Sequence, residues 1–223
     1  MIDVIWATPL YEFLRQCNAS PLEKTILDCG AGGSPPPLSL FYQYGYRTYG
    51  VEIAEKALAE AQQFCREQDM SLNIFRGDMR NIPFASQSFG GVYSFNAIFF
   101  MTKPDIAQTM GEIERVLKPE GLCYVNFKSM DDPDDRLFCE TAPPRLLLKS
   151  ERFARHEDNE ADAYFAHFDI LRKQKVLIDK AYGGGRLKQA YIEYIARKMF
   201  PGNCKEDSMS KILDGQAVAQ EIE

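Results

Sequence analysis

A chain of 223 residues with 45% hydrophobic content can bury one core, and its net charge of −6 denies it the basic face that broad nucleic-acid binding needs. Six cysteines, at 17, 29, 65, 123, 139 and 204, form no C-x-x-C pair and no zinc spacing, so reduced thiols are expected and no metal site. The absence of a run of about 20 apolar residues excludes a membrane-spanning helix, and the acids and proline near the N-terminus do not read as a signal peptide, which leaves a cytoplasmic protein as the expectation.

Residues 1–22 read as an N-terminal helical cap, with Trp6, Tyr11 and Phe13 at helical spacing. Residues 24–29 form a first strand, and Pro35 to Pro37 open a short helix through Phe41. A second strand spans 48–52, followed by an amphipathic helix from Ala54 to Gln68 whose apolar positions are Ala57, Leu58, Ala61, Phe64 and Cys65. Strands at 72–76 and 91–95 follow. A helix from about Asp105 to Leu117 stops at Lys118-Pro119, and a fifth strand covers 122–127. Alternation of this kind demands a parallel sheet with helices on both faces.

The last third changes character. Asp131 to Asp135 is an acidic turn without the alternating ligands of a calcium loop. Glu151 to Asp162 is charged and aperiodic, and Tyr164 to Lys173 reads as a helix. Two apolar runs, Lys175 to Tyr182 and Gln189 to Ala196, flank Gly183-Gly184-Gly185 and predict an antiparallel hairpin. Residues 201–223 read as a polar tail.

The run Ile26-Leu27-Asp28-Cys29-Gly30-Ala31-Gly32-Gly33-Ser34 carries the chemistry. An apolar strand stops at an acid and a turn of small residues, where a backbone can approach a ligand closely. Glu52 follows Asp28 by 24 positions at the end of the second strand, and Asp78 ends the third. Three acids on one edge of a parallel sheet mark a site for a nucleotide-like ligand. Pro35 stands where the G-x-G-x-x-G fingerprint needs its third glycine, and no Gly-Lys-Ser/Thr follows Gly33. Asp28 inside that turn repels phosphate and suits a sulfonium or an amine.

The pattern D-x-G-x-G, then Glu52, then Gly77-Asp78, resembles motifs I to III of the class I S-adenosylmethionine-dependent methyltransferases. Gly77-Asp78-Met79-Arg80-Asn81-Ile82-Pro83-Phe84 with Ser88-Phe89, and Glu114-Arg115-Val116-Leu117-Lys118-Pro119-Glu120-Gly121, are similar to segments of the ubiquinone/menaquinone-type branch (methyltransferase type 11). The likeness covers residues 23 to 128 and, more loosely, 168 to 198. Two positions depart from it. Gly90 replaces an aspartate, and Glu120 replaces the first glycine of a P-G-G turn.

The resemblance implies an α/β, Rossmann-like, seven-stranded, mostly parallel sheet of order 3-2-1-4-5-7-6 with an antiparallel last strand. It implies one domain over 1–200, with residues 129–165 an insert over the acceptor side. The implied cofactor is S-adenosylmethionine, with S-adenosylhomocysteine as product. Asp28 would orient the methionine amino group, Gly30, Ala31 and Gly32 would admit the cofactor, and Glu52 would accept the ribose hydroxyls beside Ile53. Asp78 would take the adenine amine, the Met79 amide a ring nitrogen, and Asn96 would line the cleft. The expected reaction is methyl transfer to a small-molecule acceptor by in-line displacement. No catalytic base is assigned, and neither His156 nor His167 is expected to serve as one. A noncatalytic cofactor-binding module, which Gly90 favours, and a nicotinamide-dependent oxidoreductase are the alternatives.

Overall fold

The structure is a computed structural model, and it describes residues 9–132, 154–182 and 185–200. Trp6, residues 133–135 of the acidic turn and the 201–223 tail lie outside the described residues. In chain order the elements are α1 (Pro9–Ala19), β1 (Thr25–Cys29), α2 (Leu38–Gln43), β2 (Arg47–Glu52), α3 (Glu55–Gln68), β3 (Ile74–Arg76) and β4 (Phe89–Ser94). They continue with α4 (Lys103–Val116), β5 (Leu117–Lys128), β6 (Phe168–Tyr182) and β7 (Gly185–Lys198). Single 3-10 turns cover Ile98–Phe100 and Glu160–Phe165.

The strands join one seven-stranded sheet in the order β3-β2-β1-β4-β5-β7-β6, as the resemblance implied. β1 to β5 run parallel, and β7 runs antiparallel to both of its neighbours. β1 is buried along its whole length, which its uninterrupted run Thr-Ile-Leu-Asp-Cys anticipates for a central parallel strand. Successive residues serve opposite faces. Leu27, Cys29 and Val92 join the core under α4 with Ile106, Met110 and Ile113, while Ile26 and Tyr93 join the core under α1 with Phe13 and Phe41.

α1 has only 11 residues and would be marginal in isolation. It is held by burial of Phe13, Leu14 and Cys17, with the Phe13 ring centroid 5.8 Å from Tyr93 and 6.1 Å from both Phe41 and Tyr124. α4 starts with a reciprocal cap. The Asp105 amide donates to Thr102 Oγ at 3.3 Å, and that hydroxyl donates to the Asp105 carboxylate at 2.8 Å. It ends at Val116, where β5 begins directly, so Pro119 sits inside a bulged strand start and not in a loop.

One expected element differs. Residues 164–173 are not a helix; Glu160–Phe165 makes a 3-10 turn and β6 begins at Phe168. Ala166, Leu171, Arg172 and Lys173 give this stretch a helical bias, but tertiary pairing overrides it. Phe165 stacks on Tyr194 at 4.6 Å, and β6 pairs with β7 from Phe168↔Lys198 to Tyr182↔Gly185. The hairpin is therefore longer at its base than the two apolar runs suggested.

Of the two departures from the family pattern, Gly90 has a packing account, and Glu120 keeps the backbone conformation of the glycine it replaces. A Cβ at Gly90 would lie 2.5 Å from the Glu23 carbonyl oxygen, so the α1–β1 connection passes too close for any side chain. Glu120 adopts a φ of +64°, the left-handed conformation that a glycine holds without penalty. Gly90→Ala should therefore destabilise the protein by about 1–3 kcal/mol. For a chain of this size each kcal/mol lowers the thermal midpoint by roughly 2–4 °C, and differential scanning calorimetry of the two proteins measures the loss.

Candidate cofactor site

Glu52 organises the carboxyl edge of the sheet. Its carboxylate accepts the Gly32 amide at 3.0 Å through one oxygen and the Ala54 amide at 2.7 Å through the other. Its own carbonyl accepts the Gly77 amide at 3.1 Å, and the neighbouring Val51 carbonyl takes the amides of Gly30 and Ala31 at 2.9 and 3.1 Å. One residue thus ties the turn after β1, the start of α3 and the segment leading to Asp78. Each carboxylate oxygen keeps lone-pair capacity for a further donor.

Two glycines in the turn are required by the protein's own packing. A Cβ at Gly32 would fall 2.5 Å from the Ala57 Cβ and 2.7 Å from Glu52 Oε2. Gly30 has a φ of +96°, and its Cβ would fall 2.4 Å from the Ala97 Cβ. Ala31 between them is fully buried.

Asp28 is 2% exposed, and its Oδ2 has no hydrogen-bond partner among the described residues. Burial first, then the Glu52 charge, push its carboxyl well above the usual range. An orphaned buried acid next to a second acid is an unfavourable arrangement that a cation relieves. Ile53, beside Glu52, is 57% exposed and offers an apolar face at the same edge, whereas Met79 is buried.

Asp78 is already engaged. Arg80 donates to it from its backbone amide at 2.9 Å and from its guanidinium, whose shortest bond is 2.6 Å. This pairing holds the Asp78 carboxyl below its usual range. Asn96, at a φ of +53°, forms a reciprocal pair with Asn126. The Asn96 amide donates to Asn126 Oδ1 and Asn126 Nδ2 donates to Asn96 Oδ1, both at 2.8 Å. The carboxyl ends of β4 and β5 are locked together by these two bonds.

Helix α4 grips the segment after Asp78 with a polar stripe at 105, 108, 112 and 115. Asp105 accepts from Arg80 Nη1 at 3.1 Å, and Gln108 Nε2 donates to the Arg80 carbonyl at 2.8 Å. Glu112 accepts the Ile82 amide at 2.7 Å, and Arg115 donates to the Ile82 and Phe84 carbonyls at 2.9 and 2.7 Å. The spacing of 3, 4 and 3 residues keeps all four on one helix face.

Asn126, Arg80 and Glu193 were not singled out in the sequence. Asn126 carried a signal, being a polar residue inside the apolar run Cys123 to Phe127. Glu193 lies opposite Asn126 in register and is 3% exposed; the Tyr124 hydroxyl donates to it at 3.0 Å, and burial raises its pKa. The acidic turn is only partly solvated. Asp132 is buried and accepts the Ala190 amide of β7 at 2.8 Å.

The histidines lie elsewhere. His167 is exposed and faces Glu114 at 3.0 Å. His156 is fully buried beside the end of β5, with Nε2 3.2 Å from the Tyr164 hydroxyl and Nδ1 unpartnered among the described residues. No group of three or more His, Cys, Asp or Glu that could hold a metal is found among the described residues.

A parallel sheet that reverses only at its final hairpin, with acids at the carboxyl ends of its first three strands, is the arrangement that the resemblance to class I methyltransferases implied. Residues 27–125, a little under half of the chain, match the family described as methyltransferase domain. It is 32% identical over 109 residues to sterol 24-C-methyltransferase of Pneumocystis carinii, covering 47% of this chain and 28% of that protein. It is 29% identical over 130 residues to demethylmenaquinone methyltransferase of Chlorobaculum parvum, covering 56% and 49%. The chain thus spans less than half the length of these curated relatives. A solved structure of a SAM-dependent methyltransferase from Methanosarcina mazei shares the fold, with a TM-score of 0.63 and 18% identity over 86% of this chain and 99% of that one.

Burial, reinforced by the Lys103 charge and opposed by Glu160, holds the His156 imidazole below its usual value. The unfolded chain therefore binds the extra proton first, and stability falls as the pH drops below about 6.5. His156→Leu should flatten this dependence between about pH 7.5 and 5.5, as read from thermal midpoints of the two proteins.

Proposed function

We propose that this chain binds S-adenosylmethionine over the carboxyl ends of β1 and β2 and moves its methyl group to a small molecule held over β4 and β5. The observation that carries the reading is the buried Asp28 carboxyl beside Glu52, whose Oδ2 has no hydrogen-bond partner among the described residues. A phosphate-bearing ligand would meet two acids there, whereas an ammonium or sulfonium supplies the missing charge. The residues present fit that cofactor. Glu52, already positioned by two amides, has capacity for both hydroxyls of a ribose, and the exposed Ile53 offers apolar surface for a purine.

When bound, the cofactor supplies an electrophilic methyl group on a positively charged sulfur. The chain's own residues then bind and orient. Asp28 holds the amino-acid end, Gly30, Ala31 and Gly32 form the turn beneath it, and Glu52 holds the sugar. Asp78 and Met79 face the base, and Asn96, braced by Asn126, forms the wall between cofactor and acceptor. Alignment of nucleophile and methyl group is the main catalytic contribution asked of such a site. No residue is assigned as a base.

The two relatives named for a sterol and for demethylmenaquinone support a small-molecule acceptor. The packing reason for Gly90 removes the support it lent to a noncatalytic module. We further propose residues 1–200 as one domain, 1–22 as its cap, 129–165 as its acceptor-side insert and 201–223 as a tail. The buried free thiols Cys17, Cys29 and Cys123 support a cytoplasmic setting. No helix among the described residues is long and apolar enough to cross a membrane.

Saturation with S-adenosylmethionine or S-adenosylhomocysteine at a hundredfold over Kd should stabilise the protein by about 2.7 kcal/mol. Reduced nicotinamide cofactor should leave the thermal midpoint unchanged, and a shift with that control alone would refute the assignment. Asp28→Asn should act in opposite directions in the same assay. Removing an acid that burial and the Glu52 charge both disfavour should raise the midpoint of the ligand-free protein, while the ligand-induced shift shrinks.

A further inference from the structure

We propose that Arg80 makes this chain permissive toward the purine of its nucleoside ligand, by occupying the carboxylate that would otherwise read the base. The inference rests on the cofactor reading above and concerns one contact within it. A free Asp78 carboxylate would accept the exocyclic amine of adenine and would repel a carbonyl oxygen at the same ring position.

Asp78 is not free. The Arg80 amide and Nε donate to its Oδ1 at 2.9 and 3.0 Å, while Nε and Nη2 donate to its Oδ2 at 3.1 and 2.6 Å. A carboxylate offers about four lone-pair sites, and Arg80 alone engages both oxygens twice. The pairing also cancels the charge that would favour an amine over a carbonyl. The guanidinium still has N–H groups not committed to Asp78 or Asp105, and these can donate to a carbonyl oxygen.

The arrangement is held from behind. Asp105, in the first turn of α4, takes Nη1 of Arg80 at 3.1 Å and is itself tied to the Thr102 hydroxyl at 2.8 Å. Gln108 fixes the Arg80 carbonyl at 2.8 Å, so the backbone that carries the guanidinium is anchored one helical turn further along. Two carboxylates on opposite sides of a planar fork define its orientation, where a lysine would present only a point charge. Arg80 is thus a specificity-determining residue that acts through Asp78.

The test is calorimetric titration of the full chain with S-adenosylhomocysteine and with its 6-oxopurine counterpart, S-inosylhomocysteine. The wild-type protein should bind the two within about threefold of each other. Arg80→Met keeps an unbranched stem and releases Asp78, so the preference for adenine should grow to about tenfold or more, the worth of a hydrogen bond to a charged acceptor. Asp105→Asn, which loosens the guanidinium without removing it, should move the ratio in the same direction by less, and it decides the matter if Arg80→Met does not fold. A wild-type preference for adenine of tenfold or more, or a ratio unchanged in the variants, overturns the inference and leaves the cofactor reading standing. Failure of the wild-type protein to bind either compound overturns both.

Discussion

The carboxyl edge of this protein depends on Glu52. Its side chain closes the Gly32 turn on one side and opens α3 on the other, and its backbone receives Gly77. Because β2 lies between β1 and β3, a residue at its end can touch the segments that leave both neighbouring strands. The carboxylate therefore shapes the turn before any ligand arrives. Gly32 is a glycine because Glu52 and Ala57 leave no room for a Cβ. What looks like a binding motif is first a solution to packing around one acid.

A second constraint acts from the opposite face. The segment from Asp78 to Phe84 has little regular structure of its own, and its backbone polar groups must still be paired. α4 supplies those partners through Gln108, Glu112 and Arg115, and Asp105 holds the Arg80 side chain. The Arg of the Glu114-Arg115-Val116-Leu117 segment is thus a clamp on a distant loop, not a ligand-binding group. Its neighbour Glu114 serves a different surface, facing His167. Two recognisable sequence segments, far apart in the chain, are the two halves of one contact.

Much of this was legible in the chain. β1 to β4, α3 and α4 lie close to where apolar periodicity, proline and glycine placed them, because buried parallel strands and amphipathic helices write their own pattern. The stretch 164–173 departs for the same reason in reverse. Its helix-forming residues describe local preference, and the stacking of Phe165 on Tyr194 and the pairing with β7 overrule it. Asn126 and Glu193 escaped notice because each is a single polar residue whose partner lies on another strand or loop.

The sequence by itself determined the alternation of strands and helices, the acids at the ends of the first three strands and the sign of charge that their site attracts. These are properties of residue type and of spacing along a regular element, so they need no knowledge of what lies across the sheet. Only the tertiary structure decided that Asp28 is buried with its Oδ2 unpartnered among the described residues, that Asp78 is taken by Arg80, and that Gly90 is a matter of room beside Glu23. Those are facts about distances between residues that the chain separates and the fold brings together. An acid can be placed at a strand end from sequence, but what already occupies its lone pairs is settled by packing.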